Sequence, residues 1–356
     1  MQTPAARFVL MFAATMIIIA GLKAAAEVIA PFILATFVAA IAGPPLFWLK
    51  RRGVPTWLAI TLVMLLIVAL MIGIGAIISG SLNGFSESLP DYRASLQNAL
   101  ANVFAWLSMH GIDLTTTWIM QYLDPSLAMD LVANTLSGFG NVLTNSFLIL
   151  LTVIFMLLEA ASFPNKLSAM SSDPEKTMSR YRNFIDTLKE YIAIKTLMSL
   201  LTGLGVTIWL WAIGVDFAPL WGLIAFFLNY VPNIGSIIAA VPAVLLSFVQ
   251  LGSTSALLTA AGYIFFNTVI GNFIEPRLMG RGLGLSTLVV FLSLVFWGWV
   301  LGPVGMLLSV PLTITLKLAF ESNEETRWMA IILGSERDYL TPAATSRLAQ
   351  ALARRT

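Results

Sequence analysis

Residues 217–274 and 282–316 carry no charged side chain. A stretch this apolar, wherever water is absent, must satisfy its own backbone N–H and C=O groups, and helices do that within one segment. Each stretch nevertheless contains a break. The first reads Tyr230-Val231-Pro232-Asn233-Ile234-Gly235 and the second Leu301-Gly302-Pro303-Val304-Gly305. Proline removes a backbone donor and frees a carbonyl. Glycine admits tight turns and close backbone contacts. Irregular backbone at membrane depth is tolerated only where protein encloses it or it lines a cavity, so two broken apolar segments in one chain point towards a transporter.

Composition places the rest of the chain in the same class. Of 356 residues, 58% are hydrophobic and 11% charged, with mean hydropathy +0.88. Ordinary soluble domains are about 25% charged. The expected fold is an all-α polytopic membrane protein. The chain has no cysteine, which excludes thiol catalysis, disulfides and thiolate metal sites. His110 is the sole histidine, so no imidazole cluster can hold a metal. Walker A, GxSxG and HExxH patterns are absent, as are paired buried carboxylates. No enzyme activity, cofactor or nucleic-acid partner is expected. Gly280-Arg281-Gly282-Leu283-Gly284 has the look of a phosphate loop, but it follows a membrane helix and its spacing is wrong. With no nucleotide engine, the driving force must be a gradient of substrate, proton or sodium.

A span needs about 20 apolar residues. The candidates are 7–23, 27–48, 56–79, 138–159, 193–214 and 253–274. The first two read as a helical hairpin rather than a cleaved leader, because a second apolar run follows the first after only Lys23 to Glu27. The runs 217–250 and 285–320 are too long for one helix and too short for two full spans. The legs of the first run, about 15 residues each, would reach only about 22 Å, and the second run has the same problem. Basic residues concentrate on the cytoplasmic side of membranes. With the N-terminus inside and both long runs re-entrant, only Lys23 and Arg93 fall outside. If each run crosses once, Arg277 and Arg281 move outside too. The preferred expectation is six spanning helices plus two re-entrant helical hairpins, the first dipping from outside and the second from inside; the alternative is eight spanning helices. Pro232-x-x-Gly235 followed by Val241-Pro242 echoes Pro303-x-Gly305 followed by Val310-Pro311. Each motif follows a full apolar helix, as in an inverted helix-plus-hairpin repeat.

The expected organisation is therefore N-terminal membrane helices over 1–80, an extracytoplasmic loop over 81–137, a membrane helix over 138–160, a cytoplasmic helical segment over 161–191, a transport core over 192–320 and a cytoplasmic tail over 321–356. The 81–137 loop carries five acids against Arg93 alone, and its runs 91–108 and 125–136 have helical apolar spacing. Both termini are expected on the cytoplasmic side of the membrane.

The expected substrate pathway is Asn229, Tyr230, Pro232, Asn233, Gly235 and Ser236 at the first break, with Gly302, Pro303 and Gly305 at the second. Amides, hydroxyls and freed backbone groups there can bind a polar ligand or a cation, or can cap the hairpin itself; the two roles can coexist. Asn267 and Asn272 lie on the helix before Glu275, five residues apart and therefore on different faces. Glu275, Pro276, Arg277 and Arg281 form a corner. Its carboxylate can serve as a proton or cation site, or pair with Arg277 or Arg281 as a hinge or lock; its place at a wet helix end favours the lock. An acid at the membrane midplane would be functional by default, but none sits clearly there. That favours a neutral, hydroxyl-rich cargo over a cation, with Trp297 and Trp299 as an aromatic wall or as interfacial anchors.

Three runs resemble the AI-2E (autoinducer-2 exporter) transporter family: Asn229 to Ser236, Gly271 to Ser286 and Phe296 to Gly305. The resemblance extends over almost the whole chain to about residue 320. It implies export of autoinducer-2, a small furanone-type signal, across the bacterial inner membrane by a homo-oligomer, with a pentamer favoured. Family members also include sodium- or lithium-proton antiporters. The competing readings are a monovalent cation–proton antiporter using Glu275 and a membrane scaffold that transports nothing.

Overall fold

The computed structural model describes residues 4–109, 146–160, 163–170, 173–232, 234–278, 284–321 and 326–334. All regular structure among them is helical. In chain order the helices are α1 (Pro4–Ala24), α2 (Ala26–Arg51), α3 (Thr56–Met109), α4 (Ser146–Ala160), α5 (Phe163–Met170), α6 (Pro174–Ile213), α7 (Ala218–Leu228), α8 (Ile234–Leu251) and α9 (Ser253–Phe266). A π-helical segment, Asn267–Ile274, leads into α10 (Glu275–Leu278). Then follow α11 (Thr287–Leu307), α12 (Ser309–Glu321) and α13 (Arg327–Leu333).

Among the described residues, six helices can cross a membrane by length and composition: Ala26–Arg51, Thr56–Tyr92, Thr177–Ile213, Ile234–Leu251, Ser253–Leu278 and Thr287–Leu307. Ala26–Arg51, Thr56–Tyr92, Thr177–Ile213 and Ser253–Leu278 coincide with the spans expected over 27–48, 56–79, 193–214 and 253–274. Ile234–Leu251 and Thr287–Leu307 are legs of the two broken runs. Phe12–Ala24 and Leu148–Glu159 are apolar but shorter. Leu65, Ile72, Leu204, Ile208, Leu257 and Ile264 all point outward. Apolar surface this extensive on so many helices matches a lipid solvent rather than water. The protein is a multi-pass membrane protein.

The span expected over 56–79 and the helix expected over 91–108 are one continuous helix, α3, with Pro90 inside it. Proline forfeits its own N–H at that turn, and Ser86 Oγ donates to the Leu82 carbonyl one turn earlier. The helix expected over 125–136 and most of the tail lie outside the described residues.

The chain forms two compact units. One comprises Met1–Ile41, Phe155–Ile194 and Pro276–Thr356; the other comprises Ala42–Ile154 and Lys195–Glu275. The core of the second unit is built from Ile78 and Phe85 of α3, Leu210 of α6, Trp221 and Ile224 of α7, and Ala243 and Leu246 of α8. Glycine lets α6 and α7 cross closely. A Cβ on Gly222 would stand 1.8 Å from Thr207 Oγ1 and 2.5 Å from the Gly203 carbonyl oxygen. Small residues at such crossings are the usual means by which membrane helices gain contact. A latch closes the α6–α7 turn: the Tyr92 hydroxyl donates to Asp216 Oδ2 at 2.7 Å, and Trp221 Nε1 donates to the Asp216 carbonyl at 3.0 Å. Phe217 beside it is left-handed at φ 59°, an uncommon conformation for a bulky residue.

In the first unit, Ser286 caps α11 by accepting from the Val289 N–H. The buried Lys317 of α12 donates to the Gly284 carbonyl at 2.7 Å. Lys23 at the end of α1 lies 3.8 Å above the centre of the Trp299 ring on α11, a cation–π contact.

Candidate functional site

The first break is a tight reversal between α7 and α8. Asn229, Tyr230 and Val231 end α7 with N–H groups bonded to Ala225, Phe227 and Leu228 carbonyls. Helix α8 begins at Ile234. A Cβ on Gly235 would stand 1.8 Å from the Leu228 carbonyl oxygen, so only glycine fits where α8 leaves the tip. Trp221, Ile224 and Ala225 share one buried cluster with Ala239, Ala243 and Leu246, so the two legs pack against each other.

Polar side chains at this tip are partnered, and one turn of α6 supplies the partners. Asn229 Nδ2 donates to Ser199 Oγ at 3.0 Å, and the Tyr230 hydroxyl donates to Thr196 Oγ1 at 2.7 Å. Asn229, Tyr230 and Ser199 are buried. The adjacent residue on the same turn is Lys195, whose Nζ donates to Glu275 Oε1 at 2.7 Å. Their side chains are only 8% and 14% exposed. The tip and the Glu275 corner are thus one site, built on Lys195, Thr196 and Ser199.

This revises the expected lock. Glu275 is paired across 80 residues with Lys195, while Arg277 is exposed. Arg281 and Asn233 lie outside the described residues. At an effective dielectric near 20, charges about 3 Å apart attract by roughly 5 kcal/mol. Desolvation costs several kcal/mol for each ion. The intact pair is therefore close to neutral for stability, whereas losing one partner strands a charge at a cost of about 3–5 kcal/mol.

The π-helical segment explains how Glu275 reaches Lys195. Pro276 has no N–H, and its ring would clash with the Asn272 carbonyl in a regular α-helix. The chain widens instead, and the Glu275 N–H bonds to the Ile270 carbonyl. Asn267 is half-buried and Asn272 exposed. Asn267 and Ser236 mark one end of a cleft of about 370 Å³ between α8 and α9, walled by Ile237, Val241 and Ile264. Tyr263 also lines it, and its buried hydroxyl has no hydrogen-bond partner among the described residues.

The second break repeats the device of the first. Gly302 takes φ 65° and ψ −148° inside α11, which favours glycine. Three residues on, a Cβ on Gly305 would stand 2.0 Å from the Trp297 carbonyl oxygen. Trp297 Nε1 donates to Thr313 Oγ1 on α12 at 3.0 Å. Pro303 is exposed, and Gly305 is buried. Each break therefore seats a glycine of the second leg on a carbonyl near the end of the first.

Residues 8–324 match the family described as AI-2E family transporter. The chain belongs to that family. The AI-2 transport protein TqsA of Escherichia coli (strain K12) is 46% identical over 327 residues, covering 92% of this chain and 95% of that protein. A protein of Haemophilus influenzae (strain ATCC 51907 / DSM 11121 / KW20 / Rd) is 42% identical over 339 residues, covering 94% and 97%. YhhT of Escherichia coli (strain K12) is 36% identical over 328 residues, covering 92% and 94%. As a member of the AI-2E family the chain is a transporter, in agreement with the expectation drawn from its paired breaks.

Lys195, Thr196 and Ser199 are absent from the sequence-based site of this AI-2E transporter. Their signal was present but weak. Lys195 is the last charge before the apolar run that ends at Asp216, and charge placement alone marks it as a boundary residue rather than as a partner.

Proposed function

We propose that this protein exports a small, uncharged, polar signal, autoinducer-2, across the bacterial inner membrane, with both termini cytoplasmic and a homopentamer as the working assembly. The observation that carries the reading is the polar tip: an amide, a phenol and two hydroxyls with a charge-balanced ion pair, all held within apolar helices. Such a cluster can exchange its internal hydrogen bonds for those of a hydroxylated solute without stranding a net charge. The name printed for the Escherichia coli relative supports the choice of cargo.

The two broken segments act as re-entrant hairpins of an inverted repeat. From Ile213 back to Lys195, α6 rises about 27 Å, close to the roughly 30 Å of a hydrocarbon core. The first tip, bonded one turn from Lys195, then penetrates most of the membrane from outside. Pro232, Asn233, Gly235 and Ser236 at the first break, and Gly302, Pro303 and Gly305 at the second, are the residues assigned to the substrate pathway. The test is efflux of labelled autoinducer-2 from reconstituted vesicles, with and without imposed gradients. Asn233→Ala and Pro303→Ala lower the rate while assembly is retained. Wild-type rates in both variants would sink the assignment.

The buried Glu275 favours one second reading, a sodium- or lithium-proton antiporter. Everted vesicles with a pH-sensitive dye separate the two. Sodium-evoked proton movement that disappears in Glu275→Gln selects the antiporter.

A further inference from the structure

We infer that Lys195 is a positioning residue whose ion pair with Glu275 is a clasp, closed here, that must open in each transport cycle. The inference rests on the transport reading above and names the contact that regulates its site.

Three observations converge on the pair. First, the pair joins α6 to the end of the π-helical segment across 80 residues of sequence, with side chains only 8% and 14% exposed. Second, Lys195 shares a helical turn with Thr196 and Ser199, the hydrogen-bond partners of Tyr230 and Asn229. Movement of that turn changes the tip and the clasp together. Third, the carboxylate is delivered by a π-helical segment followed by proline. A π segment is a less stable alternative to α-helix and recurs at functional sites; returning Asn267–Ile274 to α-helical winding would rotate Glu275 about the axis and withdraw it from Lys195.

In the closed state the described polar groups of the tip are covered. Asn229, Tyr230, Lys195 and Ser199 are all buried. A solute reaches these groups only after Lys195 and Glu275 part. A purely structural ion pair has no such requirement and would work equally well if permanently joined.

The absence of cysteine makes the test clean. Spin labels at Leu197→Cys and Phe273→Cys, both exposed positions, report opening with the native pair intact and without any cargo. The full chain in lipid vesicles is expected to show two distances, the longer one minor, and Lys195→Met or Glu275→Gln should make it dominant. A single distance that neither substitution shifts would overturn the clasp. Should either single variant fail to fold, Lys195→Met with Glu275→Leu keeps the site neutral and apolar, and the longer distance should dominate there as well; a distance matching wild type would count against the clasp. In a second arm, Leu197→Cys with Phe273→Cys, which leaves the native pair intact, is joined by a reductant-cleavable bifunctional thiol reagent. Efflux of autoinducer-2 and sodium-evoked proton movement are both measured. The joined protein should lose the activity that wild type shows and regain it on reduction. Full activity in the joined protein would refute the inference; where the reduced variant is itself inactive, the spin-label distances decide. Wild type inactive in both assays would refute the transport reading, leaving the distance measurement to judge the clasp.

Discussion

Replacing Gly235 by alanine should separate backbone packing from every other effect at the first break. The added Cβ would lie 1.8 Å from the Leu228 carbonyl oxygen, 2.8 Å from its carbon and 3.0 Å from Val231 Cβ. Even close C–H···O contacts sit near 3.3 Å, so the tip must open by about 1.5 Å. The obstructing atom belongs to the backbone at the end of α7 and cannot rotate away like a side chain. Overpacking of this kind costs about 1–3 kcal/mol, occasionally more. Alanine returns at most about 1 kcal/mol of helix propensity. The net effect is destabilising and concentrated where Asn229 and Tyr230 make their hydrogen bonds. Gly73→Ala is the control: it lies within α3, nothing stands within 4 Å of its Cβ, and only the propensity gain of about 0.5–1 kcal/mol remains. Thermal inactivation in detergent, followed by size-exclusion of the surviving protein, ranks the variants by kinetic stability. The expected order is Gly73→Ala at or above wild type and Gly235→Ala well below, with solute flux reduced in Gly235→Ala alone. A Gly235→Ala protein as durable and as active as wild type would refute the seat-on-carbonyl argument, and with it the parallel drawn for Gly305.

Lys195→Met alone should destabilise by about 3–5 kcal/mol, because Glu275 is left buried and unpaired, while Lys195→Met with Glu275→Leu recovers most of that loss; heat-inactivation rates of the single and double variants check the coupling. Tyr92→Phe removes the donor to Asp216 and should cost about 1.5–3 kcal/mol, the range for a hydrogen bond to a charged group; faster proteolysis at the α6–α7 turn would report it, and no change would show the latch to be idle. Gly222→Ala should harm folding more than Gly84→Ala. The former meets Thr207 Oγ1 at 1.8 Å and a backbone oxygen at 2.5 Å, the latter only the movable far edge of the Phe217 ring at 2.9 Å; yields of monodisperse protein compare them.

Much of the fold was legible locally. Charge-free runs, and proline with glycine inside them, announced two helix–break–helix segments because those signals act on neighbouring residues. The continuity of α3 through Pro90 was not, since a single proline usually ends or bends a helix, and here tertiary packing of Phe85 and Tyr92 overrides it. The partner of Glu275 was invisible for another reason. Arg277 is near in sequence, but residues two apart on a helix do not face each other, and the true partner comes from 80 residues away. Thr196 and Ser199 were hidden by ordinariness: hydroxyls are common in membrane helices, where many bond back to their own backbone, and nothing local marks these two as the ones that meet Tyr230 and Asn229.

The charge balance of the Lys195–Glu275 pair has an electrical side. Moving one elementary charge through the full membrane potential is worth about 2.3 kcal/mol per 100 mV. A motion that carries lysine and glutamate together moves no net charge through the field, so voltage neither assists nor opposes it. A proton taken up by the parted glutamate would leave the lysine's charge uncompensated. The same displacement would then draw a measurable current, and the sign of that current would tell which way the ammonium travels.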